Sequence, residues 1–420
     1  MAVTVHGPPA RALADEPFTV VLTGLSPRSE VTLDIRLDNC LGGAWRGTFT
    51  ANADEAGVLD LSTVALTGLA RPDPTALLWA LDPEGEPNPE AAQAEDAHGT
   101  LTVSEGGQTL AVHEFTRVFR AHGVTCTELG GPLFGALYLP AGPGPHPAVM
   151  TVSGSGGGIG REEAAMFASH GFACLALAYF NYPGRPPDLF DQPLEYFGEA
   201  LNWLGAQPQV RADAIAVKGN SRGGELSLLL GATFKAVRAV AAVVPSGYVW
   251  GAARVDWSDG AAWTWRGTAL PRVPVKDDDE AGRDEHVADD GSVILTPGFL
   301  AALADATPEE LADAEIPVER TNGPILIVCG EADDMWPAIE LTDPVVRRTA
   351  EAGFPHSVRR LTFADAGHLI TLPCLPARTS GVHPLGGKFA YGGTRAGTAA
   401  ARAAAWRKIL EFLAAACGAP

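Results

Sequence analysis

The chain has no CxxC pair, and its six cysteines (Cys40, Cys126, Cys174, Cys329, Cys374 and Cys417) are widely scattered. That spacing argues against a zinc site, a dithiol redox motif or a disulfide framework, and reads as buried, reduced thiols in a cytoplasmic protein. Long apolar runs are missing too. "FACLALAYF" and "AVAAVVP" fall far short of the roughly 20 residues that span a bilayer. The N-terminal "MAVTVHGPPARALADEPF" has no charged-then-apolar order, so no signal peptide is expected. Basic residues are scarce, with 30 Lys and Arg against 50 Asp and Glu, a net charge of −20. That balance argues against nucleic acid or an anionic membrane as the main partner. A few local basic groups can still hold an anionic small molecule.

Apolar residues, by contrast, make up 46% of 420 residues, enough to build two domains with real cores. Residues 1–120 read as an all-β, immunoglobulin-like antiparallel sandwich. "FTVVLTGL", "VTLDIRL", "AWRGTFTA", "GVLDLST", "ALLWALD" and "GTLTVS" are short runs separated by Pro, Gly, Asp and Asn clusters. The acidic segment "DPEGEPNPEAAQAEDAHG" reads as a solvated loop. From residue 121 to 420 the pattern changes to alternating buried strands and helices. "HPAVMTVSG", "FACLALAYF", "AIAVKGN", "VRAVAAVVPSG" and "PILIVCGEADD" are the strands. "EEAAMFASHG", "PLEYFGEALNWLGAQP", "GGELSLLLGATF" and "AAARAAAWRKILEFLAAA" are helical. Such alternation predicts an α/β domain, a mostly parallel sheet with helices on both faces. Residues 250–316 break the alternation and are expected to be an insertion near the site, acting as a lid.

The chemistry centres on Gly219-Asn220-Ser221-Arg222-Gly223, a G-x-S-x-G between an apolar strand and an apolar helix. In that context the two glycines permit a turn tight enough to expose the Ser221 hydroxyl, and the helix N-terminus favours developing negative charge. A serine at its ordinary pKa needs a base, and the base needs an acid to orient it. On this type of fold the acid and then the histidine follow the serine along the chain. Asp333 and Asp334 lie just past "PILIVCG"; Asp333 is preferred, with Asp334 the alternative. Three of the ten histidines, His356, His368 and His383, come after them. His356 precedes the next strand, "VRRLTF", and is on its wrong side. His368 follows that strand in "AGHLITLP" and is the expected base. His383 sits in a Gly/Pro-rich stretch and is expected to be structural or substrate-facing.

Five glycines crowd Gly154–Gly160 in "TVSGSGGGIGR". A dinucleotide loop would place glycine where Ile159 stands, and G-K-[ST] is absent as well. With a nucleophile downstream, the loop instead fits the second half of an oxyanion hole. The expected donors are the Arg222 amide and the amide of Ser155 or Gly156.

These segments resemble the type I acyl-CoA thioesterase and bile acid-CoA:amino acid N-acyltransferase family along nearly the whole chain. "LLWALDP", "GSGGG", "HGFACLALAYFNY", "GNSRGGELSLLL", "IPVERTNGPILIVCGEADDMW", "AGHLITLP" and "YGGTRAGTAAARAAAWRKILEFL" carry the likeness. The resemblance implies an α/β-hydrolase domain behind a β-sandwich. It puts the family nucleophile, acid and base on Ser221, Asp333 and His368. It also implies acyl-CoA as substrate, with CoA part of the substrate and no separate cofactor or metal. The amino-acid-conjugating branch uses Cys as nucleophile, so Ser221 points to water as acceptor. The acidic run "VKDDDEAGRDEH" departs from the family and leaves the acyl group open. Arg161, Lys218 and Arg222 are candidate basic neighbours for CoA, or ordinary structural charges. The expected activity is thioester hydrolysis through an acyl-enzyme. The rivals are a carboxylic ester or amide hydrolase without CoA, an acyltransferase to an amine or alcohol, and a binding module with a vestigial triad.

Overall fold

Two different strand patterns divide the chain, and the structure, a computed structural model, divides with them. It describes residues 2–85, 96–254, 259–275, 286–384 and 386–418. Two compact units result: Met1–Ala121 with Leu372–Ala377, and His122–Thr371 with Arg378–Pro420. The short Leu372–Ala377 segment of the first unit is not signalled by composition.

In the first unit, Glu30–Cys40, Gly43–Asn52, Ala97–Glu105 and Gln108–Val118 form the body of a six-stranded sheet. Thr4–His6, Val21–Thr23 and Val58–Asp60 make a second sheet of three. Val31, Leu33, Ile35 and Leu37 point inward at every second position, as a half-buried strand requires. One expected strand is corrected. "ALLWALD" is not extended: Ala76–Trp79 make a single helical turn, and only Asp82–Pro83 pair as strand. Asp73 forces the turn. Its carboxylate accepts from the Thr75 amide at 2.9 Å and from the Trp79 indole at 2.9 Å. Ala76, Leu77, Leu78 and Trp79 are all buried, so the run carries no alternation to separate strand from helix. Most of the acidic loop expected over 82–99 falls at 86–95, outside the described residues.

The second unit is built on eight strands: β1 (Thr125–Leu129), β2 (Phe134–Leu139), β3 (His146–Val152), β4 (Ala173–Ala178), β5 (Val210–Asn220), β6 (Val237–Val243), β7 (Ile325–Gly330) and β8 (Val358–Phe363). Their spatial order is β1-β2-β4-β3-β5-β6-β7-β8, antiparallel at β1 and β2 and parallel from β4 onward. Helices α1 (Arg161–Ser169), α2 (Leu194–Gly205), α3 (Arg222–Thr233), α4 (Thr296–Asp305), α5 (Ala338–Glu351) and α6 (Arg395–Cys417) cover or border it. Phe167 of α1 meets Trp406 of α6 at 4.8 Å between ring centroids, so these two share one face. Strands β3 to β7 are buried almost throughout, which is why they read as continuous apolar runs. On α3, Leu226, Leu228, Leu229 and Leu230 are buried, each contributing about 2 kcal/mol. This is the α/β-hydrolase architecture. Four loops leave the carboxyl ends of β3, β5, β7 and β8, where open parallel sheets carry their sites.

The insertion at 250–316 belongs to this unit. Trp263–Trp265 pairs with Gln192–Pro193, and Val293 bridges to Phe389. Its acidic run lies at 276–285, outside the described residues. Among the described residues no helix is long and apolar enough to cross a membrane. Among the described residues the cysteines form no disulfide; Cys126 and Cys374 are half-buried, against the expectation that all are buried.

Candidate active site

Ser221 stands between β5 and α3 with φ 56° and ψ −123°. That is a strained conformation for a residue with a Cβ and holds only where the surroundings enforce it. They do so sterically. A Cβ on Gly219 would lie 2.1 Å from the Gly223 carbonyl oxygen. One on Gly223 would lie 2.5 Å from the carbonyl oxygens of both Val152 and Ser153. The Ser221 amide donates to Val243 O on the neighbouring β6 at 2.8 Å, fixing the bend to the sheet.

Asp333 and His368 come together from the loops after β7 and β8. His368 Nδ1 donates to Asp333 Oδ2 at 2.8 Å, and both residues are 6% exposed. The other carboxylate oxygen, Oδ1, accepts from the amides of Met335 at 2.9 Å and Trp336 at 3.2 Å. Trp336 stacks edge-on against His368 at 6.1 Å and is anchored through its indole N–H to Val244 O. A carboxylate only accepts, so it fixes the tautomer that leaves Nε2 as the free base. Asp334 takes no part: its side chain is half-buried, and burial beside Asp333 raises its pKa. The histidine loop fits closely under β7, where a Cβ on Gly330 would lie 2.4 Å from Ala366 O.

No hydrogen bond joins Ser221 Oγ to the His368 ring among the described residues. Such bonds are often long until substrate is bound. The elbow and the histidine loop are joined one residue along, where Asn220 Nδ2 donates to Ile370 O at 3.0 Å.

The glycine loop lies beside the elbow. A Cβ on Gly154 would be 3.4 Å from Ser221 Cβ. The Gly157 amide closes a turn onto Gly154 O, and Asn181 Nδ2 holds Gly156 O at 2.8 Å. Among the described residues, the Ser155, Gly156 and Arg222 amides donate to no protein acceptor. Ser155 Oγ shares a 3.0 Å hydrogen bond with His383 Nε2. Burial, with the nearby His368 adding to it, pushes His383 down to about 4. This contact brings His383 beside the loop, a placement that its Gly/Pro-rich surroundings had not specified.

The three basic neighbours are all engaged. Arg161 pairs with Glu128 on β1 and reaches Tyr182 Oη at 3.3 Å. Lys218 is buried and contacts Glu163 and Asn220. Arg222 lies 3.2 Å from buried Glu225 and donates to Trp250 O at 3.0 Å. Glu225 also accepts from the Trp263 indole at 2.7 Å, and burial raises it to about 7 against the opposing pull of Arg222. Glu225 went unnoticed in sequence, although its i+3 spacing from Arg222 on a helix was a usable signal. Among the described residues no group of three His, Cys, Asp or Glu side chains is disposed to hold a metal ion.

Comparison with known proteins adds the following. Residues 192–419 match the C-terminal region of the BAAT/acyl-CoA thioester hydrolase family, and residues 15–130 match its N-terminal region. The chain is 32% identical to acyl-coenzyme A thioesterase 1 of Mus musculus, covering 96% of this chain and 94% of that one. It is 31% identical to the mitochondrial acyl-coenzyme A thioesterase 2 of Mus musculus, covering 96% and 87%. Among solved structures, a dienelactone hydrolase-like promiscuous phosphotriesterase from metagenomic libraries aligns with TM-score 0.42 and 18% identity, covering 70% of this chain and 99% of that one.

Proposed function

This chain belongs to the BAAT/acyl-CoA thioester hydrolase family and is an enzyme; from that premise we propose that it hydrolyses acyl-CoA through a Ser221–His368–Asp333 triad. The observation that carries the reading is the strained Ser221 elbow at the carboxyl end of β5, in the same sheet whose strands β7 and β8 carry the buried Asp333–His368 pair at their carboxyl ends. In the proposed reaction Ser221 Oγ attacks the thioester carbonyl and His368 Nε2 takes its proton. Asp333 holds Nδ1–H and stabilises the imidazolium. The Arg222 amide at the first turn of α3 receives the oxyanion together with a loop amide. Ser155 is favoured for that second donor, because Gly154 abuts Ser221, whereas a Cβ on Gly156 would face Pro384 at 3.1 Å. The CoA thiolate departs and takes the proton from His368, leaving Ser221 acylated and the imidazole neutral again. Water, deprotonated by His368, attacks the acyl ester, and the proton returns to Ser221 as the acid leaves. No metal or redox group is called on, and the substrate is a small molecule in a cytoplasmic setting.

One observation favours a second reading. Arg161, Lys218 and Arg222 all have internal partners, so none is free to receive a CoA phosphate. The same triad would then serve a carboxylic ester or amide without CoA. The test is a hydrolysis screen of acyl-CoAs against p-nitrophenyl esters of the same acids, with Ser221→Ala as blank. Faster cleavage of the thioesters is the expected result. Ester cleavage without acyl-CoA cleavage selects the second reading. A glycine or taurine conjugate detected by mass spectrometry identifies an acyltransferase instead.

A further inference from the structure

The mechanism leaves two polar side chains of β5 unused, one buried and one half-buried. Lys218 and Asn220 are two residues apart and therefore share one face of the strand, with Ser221 next in line. The Lys218 side chain is 3% exposed. Its ammonium contacts Glu163 Oε1 on the first turn of α1 and Asn220 Oδ1. Asn220 passes the connection on, its Nδ2 donating to Ile370 O at 3.0 Å. The Ile370 amide in turn donates to His368 O at 2.9 Å. An unbroken polar chain thus runs from the helix that follows the glycine loop, past the nucleophile, to the backbone of the histidine.

We propose that Lys218 and Asn220 are positioning residues that hold the histidine loop in register with the Ser221 elbow. The proposal rests on the triad reading above. Asparagine suits its place chemically, since it offers an acceptor to the ammonium and a donor to the carbonyl at once. An aspartate would lack the donor, and an apolar residue would lack both. Asp333 constrains the far nitrogen of the imidazole, but a ring held at one end still swings with its backbone. Because Ser221 and His368 share no direct hydrogen bond here, their alignment depends on such indirect ties. A misplacement of about 1 Å costs on the order of 10²-fold in rate.

The test measures kcat and KM for p-nitrophenyl butyrate, and the rate of fluorophosphonate labelling, in the full chain. The variants are Asn220→Ala, Lys218→Met, their combination and Ser221→Ala. Asn220→Ala is expected to lower kcat and the labelling rate together by about 10- to 10²-fold, with KM within threefold. The double variant is expected to be no worse than the more impaired single one, because both break one chain. If Asn220→Ala does not fold, Asn220→Ser is read against the same thresholds. A kcat within twofold of the parent, a loss carried by KM, or additive losses in the double variant overturns the proposal. Those results with an inactive Ser221→Ala remove the positioning role alone, whereas an active Ser221→Ala removes the triad reading itself.

Discussion

Replacing Asp333 by Asn is the sharpest perturbation of the proposed site, because it changes one atom and reverses one hydrogen bond. Asp333 Oδ1 accepts from two backbone amides, at 2.9 and 3.2 Å, while Oδ2 accepts from His368 Nδ1 at 2.8 Å. An asparagine has one acceptor and one donor end. Turning its NH2 toward Met335 and Trp336 would set a donor against two donors in a buried site, so the carbonyl stays there. The NH2 then faces His368 Nδ1 and makes that nitrogen an acceptor. The ring proton moves to Nε2, the atom that has to receive the proton of Ser221. The fold is kept and the base is lost. A wrong-tautomer substitution of this kind lowers kcat by about 10⁴-fold, or about 5.5 kcal/mol in the barrier. The assay is CoA release from an acyl-CoA, followed with a thiol reagent and supported by circular dichroism. Asp334→Asn is the control and should retain activity within a fewfold. Asp333→Asn within tenfold of the parent, or an equal loss at Asp334, would refute the assignment of the acid.

Two further predictions concern pH. Burial pushes His383 down to about 4 from an ordinary 6.5, so the folded chain resists its protonation. Its contribution to stability is complete above about pH 6.5 and is lost as pH falls toward 4. Thermal unfolding of the parent should therefore weaken more steeply than that of His383→Gln between those values; parallel curves would count against it. Glu225 has the opposite sign, because burial raises it from 4.5 to about 7 and the folded state holds the proton more tightly. Its contribution should fall as pH rises through that interval. The stability of the parent relative to Glu225→Gln should decline from about pH 4.5 to 7, and a relative increase would show that Arg222 dominates the carboxylate.

Much of the second unit was legible because its strands are buried on both sides. Runs such as "PILIVCG" stay apolar at every position and leave no doubt about where the sheet lies. The elbow was legible because two close backbone approaches demand glycine at 219 and 223. Other features are tertiary and leave little trace. Both Asp333 and Asp334 follow β7, and only the folded loop shows which of them meets the imidazole. The pairing of Ser155 with His383 spans 228 residues, and no local pattern announces it. Lys218 stayed open between a CoA neighbour and a structural charge, because a lone lysine in a strand does not reveal a carboxylate 55 residues earlier. The turn at Ala76–Trp79 was missed for the converse reason: the hydrogen bonds of the Asp73 carboxylate to Thr75 and Trp79 overrode an apolar run that suited a strand equally well.

The central claim, that Ser221 is the nucleophile and acyl-CoA its substrate, is tested most directly by mapping a fluorophosphonate adduct with and without acyl-CoA. Peptide mass spectrometry should find the adduct on the peptide carrying Ser221, with occupancy falling as acyl-CoA is added. An adduct on another residue, or no adduct on folded protein, would contradict the nucleophile. Labelling of Ser221 that acyl-CoA fails to slow would contradict the substrate.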